Sequence, residues 1–193
     1  MSTETPVDQV DVPPRWAEDV LAYWFKDLDQ AAWFGHSDAV DATIRDRFYD
    51  IWEWCAKAPV HSLRTHPDVA RAAIIVLDQF SRNLFRDSAQ AFDNDDRARQ
   101  IAEFAIEQGW DTGLSVDEAL FVYLPFEHSE DLVHQERSVE LIRALGNDQY
   151  TDFAVRHHDT VARFGRFPHR NDVLGRDTTP AEAAFLETTP RGF

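Results

Sequence analysis

The chain has 193 residues, 44% of them hydrophobic, and carries 19 basic against 35 acidic side chains for a net charge of −16. That length supports one domain with a real core, the apolar content excludes disorder as the main state, and the single cysteine, Cys55, excludes a disulfide framework or a cysteine zinc site. A field this negative repels nucleic acid and anionic lipid, and the longest apolar run, Ala119 to Phe126, is too short to cross a membrane.

Residues 1–14 are polar and contain Pro6, Pro13 and Pro14. They show neither the basic nor the apolar region of a secretory signal, and read as a flexible lead-in to a single domain over 15–193 of a cytoplasmic protein. From Trp16 the apolar spacing is helical, with Val20, Leu21, Trp24 and Phe25 on a first short helix. After a break at Gly35, Ser37 is placed to cap a long second helix whose buried face is Val40, Ile44, Phe48, Ile51, Trp52 and Cys55, ended by Pro59. The five tryptophans between 16 and 54 and the thiol of Cys55 read as core, not as a stacking platform or a reactive group. Pro67 opens a third helix that is apolar nearly all round and is expected to be central. A fourth runs from about 95 to 108 and stops at Gly109. Ser115 and Glu118 form a capping box for a fifth, which Pro125 is expected to bend or end. The sixth, about 131–145, closes at Gly146, with Ser129 as its expected N-cap. The seventh, about 150–164, closes at Gly165. Thr179, Pro180 and Glu182 form a second capping box for a short last helix. No segment alternates as a strand does, so the fold class is all-α with about eight helices.

Charge is unevenly spread. Between Arg156 and Arg176 five arginines face two aspartates, leaving +3 there and −19 on the other 172 residues. Arginine suits bidentate binding of carboxylate or phosphate and suits buried ion pairs equally well. Such an island is therefore an anion site or an internal lattice of salt bridges.

Three segments combine polar groups with aromatic ones. In LDQFSRNLFR (77–86), helical spacing puts Asp78, Arg82 and Arg86 on one face, with Leu77, Phe80 and Leu84 toward the core. The bland reading is a solvated ion pair, and the sharper one is a pocket lined by Arg82, Asn83 and Arg86. In LPFEHSEDLVHQE (124–136), capping accounts for Ser129, Glu130 and Asp131 but not for Glu127 and His128, which fit an acid–base pair. The spacing matches no strong zinc pattern, so no metal is expected. In RHHDTVARFGRFPHRNDVLGR (156–176), His157 and His158 sit late on a helix, where an imidazolium would meet the C-terminal dipole. The loop beyond gathers Arg166, His169, Arg170 and Asn171 around Phe164, Phe167 and Pro168. No nucleophile elbow, phosphate loop or metalloprotease helix is present.

These segments, with Phe92 after the first and TTPAE, Phe185 and Leu186 after the third, resemble the bacterial family known as domain of unknown function 924, over roughly residues 16–190. Two positions depart from its pattern: Ser81 stands where proline is usual, and Asp93 where a small apolar residue is. The resemblance implies a tetratricopeptide-like α–α superhelix of antiparallel helix pairs and no established activity. It marks Asp78, Arg82, Asn83, Arg86, Glu127, His128, Glu130, His157, Arg166, His169, Arg170 and Asn171 as the residues that matter.

Three functions compete on this basis. One is a binding module for a small anionic molecule or peptide, with Asp78, Arg82, Asn83, Arg86, His157, Arg166, His169, Arg170 and Asn171 lining the site. Another is an enzyme in which His128 works with Glu127 or Glu130. The last is a purely structural lattice. No cofactor, nucleic acid or membrane is expected in any of them. The binding reading requires an open pocket beside Arg166 and Arg170, and the enzyme reading requires His128 and the 164–171 loop to meet at one cavity.

Overall fold

The computed structural model describes residues 15–189, so the lead-in expected over 1–14 lies outside the described residues. Among those described, every regular element is helical, and none is long and apolar enough to cross a membrane. Nine helical runs follow in order: α1 (16–27), α2 (Gln30–Phe34), α3 (Asp38–Lys57), α4 (67–84), α5 (Asp95–Glu107), α6 (Val116–Glu127), α7 (Leu132–Ala144), α8 (Asp148–Phe164) and α9 (Pro180–Leu186). The short α2 adds one run to the expected eight. Its N-cap Asp29 accepts from Ala32 N at 2.9 Å.

The starts and stops obey local chemistry. Ser37 caps α3 through Val40 N, and Ser115 with Glu118 and Thr179 with Glu182 form complete capping boxes on α6 and α9. Gly109, Gly146 and Gly165 take the positive φ that ends α5, α7 and α8, a conformation that costs a residue with a Cβ about 1–2 kcal/mol. At α7 the expectation fails. The cap is Asp131, which accepts from Val133 N at 2.8 Å, while Ser129 Oγ accepts from Asp131 N at 3.2 Å and bonds to His134 Nδ1 at 2.9 Å. Pro125 does not end α6 either, since the helix continues to Glu127. A proline there forgoes one bond near the C-terminal end, where little helix remains to be disrupted.

Two helices are buried all round. Residues 70 and 72–81 of α4 and 119–127 of α6 are buried in unbroken or nearly unbroken runs, as expected for helices without a polar face. Around α4 pack α1, α3, α5 and α6; α6 in turn supports α5, α7 and α8, and α7 packs along α8. From α3 to α8 each helix packs on the next, which is compatible with the tetratricopeptide-like arrangement. The aromatic core joins Trp24, Phe48, Phe80 and Phe121, with Trp24 edge-on to Phe80 and Phe121 at 5.6 and 5.4 Å. Each such side chain contributes roughly 1.5–3 kcal/mol by leaving water. Cys55 is buried among them, and burial pushes its thiol above the usual range.

Within α4 the helix widens. Pro67–Ile74 and Ser81–Leu84 are α-helical, but Ile75–Phe80 is a π-helical stretch. An extra residue in the turn rotates the side chains that follow, and such stretches often occur at functional sites. Here the stretch holds a carboxylate, Asp78, on a helix that is buried all round.

Candidate functional site

Asp78 lies in this wide turn and is completely buried. It is not the solvated ion-pair partner expected from helical spacing. Its Oδ1 accepts from His128 Nδ1 at 2.7 Å and pairs with Arg82 Nη1 at 3.2 Å, while Gln79 Nε2 donates to Oδ2. Burial would raise the Asp78 pKa, but the charges of Arg82 and His128 with these hydrogen bonds outweigh it and hold the carboxyl well below the usual range. A buried anion thus fixes the His128 ring and its tautomer, with the proton on Nδ1.

Arg82 extends the chain of charges. It donates bidentately to Asp95 at the start of α5, at 2.9 and 3.0 Å, and to the carbonyl of Asp78 at 2.7 Å. Asp95 also meets Arg170, at 3.4 Å, and Arg170 Nη2 donates to the His128 carbonyl at 3.0 Å. The Arg170 guanidinium lies between two rings, 4.4 Å from the Phe92 centroid and 4.6 Å from that of Phe167. Only 7% of its side chain is exposed, and its buried Nε has no hydrogen-bond partner. Burial lowers its pKa to about 10 against the pull of Asp95. This is a cation with less compensation than its depth calls for.

The loop carrying Arg170 is held from below by Glu130. That carboxylate accepts from Phe167 N at 2.7 Å and from Arg176 at 2.6 and 3.0 Å. Burial opposes the ionised form, yet the Arg176 and Phe167 hydrogen bonds keep the Glu130 pKa below its ordinary value. Arg176 also donates to the Phe167 carbonyl and to Asn171 Oδ1, both at 3.0 Å. Phe167 is fully buried and packs edge-on against His157 at 5.5 Å.

A cleft of about 500 Å³ opens above this floor, within the size range of small-molecule sites. Its walls include His128, Arg170, Asp95, Glu130, Ser129 and His134, the apolar Phe92, Pro125 and Leu174, and the acidic Asp93, Asp96 and Asp131. Burial and the neighbouring Arg82 lower the His128 pKa, against the opposing pull of Asp78. With Nδ1–H committed to Asp78, Nε2 is left as its basic nitrogen. Behind it lie Glu127 and His157, with His157 Nδ1 3.2 Å from Glu127 Oε1 and 2.9 Å from the Phe153 carbonyl. They form no ion pair. Burial, reinforced by Asp78, raises Glu127 to about 8, and burial lowers His157 to about 3, so both are neutral at pH 7. The expected imidazolium on His157 is therefore corrected: desolvation overrides the helix dipole.

Of the residues singled out from the sequence, Asp78, Arg82, His128 and Arg170 meet around the cleft floor, with Glu127, His157 and Glu130 packed about them. His169 packs at a tilt against Phe167, with ring centroids 5.6 Å apart, and burial and Arg170 lower its pKa to about 4. The others go elsewhere. Arg86 and Asn83 both bind Asp41 of α3, at 2.8 and 2.7 Å. Arg166 forms a fork with Glu182 at 2.6 and 2.9 Å, tying the loop to α9, and Asn171 serves Arg176. The partner of His128 is Asp78, not Glu127 or Glu130. Three residues were not anticipated as site members: Asp95, Gln79 and Arg176. Asp95 and Arg176 act through partners distant in the chain, Arg82 and Glu130, while Gln79 acts on its neighbour Asp78.

His36, Asp38 and Asp41 have ligand atoms within 4.8 Å of one another, but the group lies on an exposed edge and Asp41 is already bound by Arg86 and Asn83.

Comparison with known proteins adds a family and a structural relative. The model of a family described as bacterial protein of unknown function (DUF924) matches residues 20–190. A solved structure of a protein of unknown function, ATU0120 from Agrobacterium tumefaciens, is similar with a TM-score of 0.84 and 40% identity over 89% of this chain and 97% of that one. Among curated proteins no match is found.

Proposed function

Because the chain belongs to the bacterial family DUF924, which brings a fold and no reaction, we propose its function from the cleft: it binds a small anionic molecule, anchored by Arg170. One observation carries this reading. A guanidinium that is 7% exposed, with an unsatisfied Nε and a 3.4 Å contact to a carboxylate it shares with Arg82, lines an open cleft. An entering carboxylate would supply the compensation this cation lacks. Arg166 takes no part, since Glu182 already satisfies it.

A second reading, proton transfer, is favoured by the Asp78–His128 pair. An imidazole oriented by a buried carboxylate and facing the same cleft as the anchor is a general base in waiting. The convergence required of His128 and the 164–171 loop is supported by the 3.0 Å bond from Arg170 to the His128 carbonyl.

The test is a thermal-shift and calorimetry screen of small carboxylates at constant ionic strength, on wild type and Arg170→Met. Methionine suits the slot between two rings and removes a poorly compensated charge, so the variant is expected to fold. A ligand at 100 times its Kd adds about 2.7 kcal/mol, roughly 5–10 °C for a chain of this size. A wild-type shift that persists in Arg170→Met refutes the anchor. For proton transfer, His128→Gln should retain binding while losing exchange of ligand hydrogens into D₂O. Exchange at an unchanged rate refutes the base.

A further inference from the structure

The walls of the cleft place a further demand on what enters it. Five carboxylates line it against two guanidiniums. Three of the five are matched: Asp95 by Arg82, Asp96 by Arg99 at 2.6 Å, and Glu130 by Arg176. Asp131 accepts only backbone N–H from Val133. Among the described residues, nothing pairs with the exposed carboxylate of Asp93. The site is therefore divided, with a cation at the floor and, on the wall, two carboxylates that no side-chain cation pairs. A bare carboxylate reaching Arg170 is drawn by the floor and repelled by the wall. The +3 island seen in the sequence does not alter this, because Arg166 and Arg176 are neutralised by Glu182 and Glu130.

Building on the Arg170 anchor, we infer that the ligand is a small zwitterion. Its carboxylate is held at Arg170 and its ammonium group by Asp93 and Asp131. A single positive charge at the floor matches a carboxylate better than a phosphate dianion, which would add a second negative charge to a wall already in excess. The apolar surface of Phe92, Pro125 and Leu174 suits a short aliphatic spacer between the two ends. An ammonium group on the same molecule turns the wall from a barrier into a second contact, and selects against plain acids and plain amines alike.

The experiment is calorimetry at pH 7 and fixed ionic strength with ω-amino carboxylates of two to six carbons. Each is paired with the carboxylate and the amine of equal length, on wild type, Arg170→Met and Asp93→Asn. Asp93 is exposed and unpaired, so its amide variant should fold as wild type does. The best amino carboxylate is expected to bind at least tenfold tighter than its plain acid. Asp93→Asn should shrink that advantage to a few-fold without weakening the acid. Plain acids that bind as tightly as their amino counterparts, with Arg170→Met abolishing both, would overturn the zwitterion and leave the anchor standing. Amines that bind alone, insensitive to Arg170→Met, or no binding by any probe, would overturn both.

Discussion

Replacing Glu127 with glutamine should make the protein more stable, by an amount that grows with pH. Glu127 is fully buried beside the anionic Asp78 and holds its proton up to about pH 8, against an ordinary value of 4.5. In the unfolded chain the same group ionises near 4.5. The pKa is thus raised on folding, so the stabilisation from the bound proton is complete below pH 4.5. It falls as pH rises through the interval and is gone above about pH 8. Each pH unit inside that window costs about 1.4 kcal/mol, so by pH 7 wild type has lost up to roughly 3 kcal/mol. Glutamine copies the shape of the neutral acid and does not titrate. Urea unfolding at pH 5, 6, 7 and 8 measures the gap. Glu127→Gln should lie close to wild type at pH 5 and pull ahead by about 1–3 kcal/mol at pH 7. A gap that stays flat with pH, or that shrinks toward pH 8, refutes a protonated Glu127.

Three further outcomes follow from the same structure. Trp52→Phe removes the 2.8 Å bond from the indole to Ser81 Oγ in the core; loss of that bond and some packing should cost about 1–3 kcal/mol in chemical denaturation, and an unchanged midpoint would contradict it. Ser115→Ala breaks the capping box that opens α6 and should cost about 1 kcal/mol by the same measurement. Arg166→Ala frees Glu182, whose carboxyl Arg166 holds below its usual range, so amide exchange should accelerate across 177–187 while ligand binding in the cleft stays unchanged. Loss of binding would place Arg166 in the site after all.

The helices were legible in the sequence because their causes are local. Apolar spacing, the Ser37, Ser115 and Thr179 caps and the glycine stops each act within a turn or two of themselves. The site was legible only as a set of suspects. Helical spacing put Asp78 on the outer face with Arg82 and Arg86. Asp78 instead lies inside, in the wide turn at Ile75–Phe80 of a helix buried on all sides, and Arg86 pairs with Asp41. Nothing in the letters IVLDQF announces that extra residue. Arg166, Arg170 and Arg176 look alike in sequence, and their fates are decided by Glu182, Asp95 and Glu130, which lie 16, 75 and 46 positions away. Spacing identifies neighbours along a helix. It does not choose partners across a fold, which is why the arginine-rich segment could be both lattice and site.

The clamp of Glu130 on Phe167 N and Arg176 has a consequence for how the molecule is made. The loop it grips carries Arg170 and Leu174 and follows in sequence all the other residues that line the cleft. During synthesis α1 to α7 can emerge and pack while Asp78, Asp95 and His128 still lack Arg170 above them. Until the loop docks, Glu130 has no guanidinium and the cleft has no floor. A chain that stops before Phe167 contains α1 to α8 and lacks both Arg170 and Arg176. On the binding reading proposed above the anchor arrives late, because Arg170 reaches Asp95 and the His128 carbonyl only once the segment after α8 has docked on the helices that precede it.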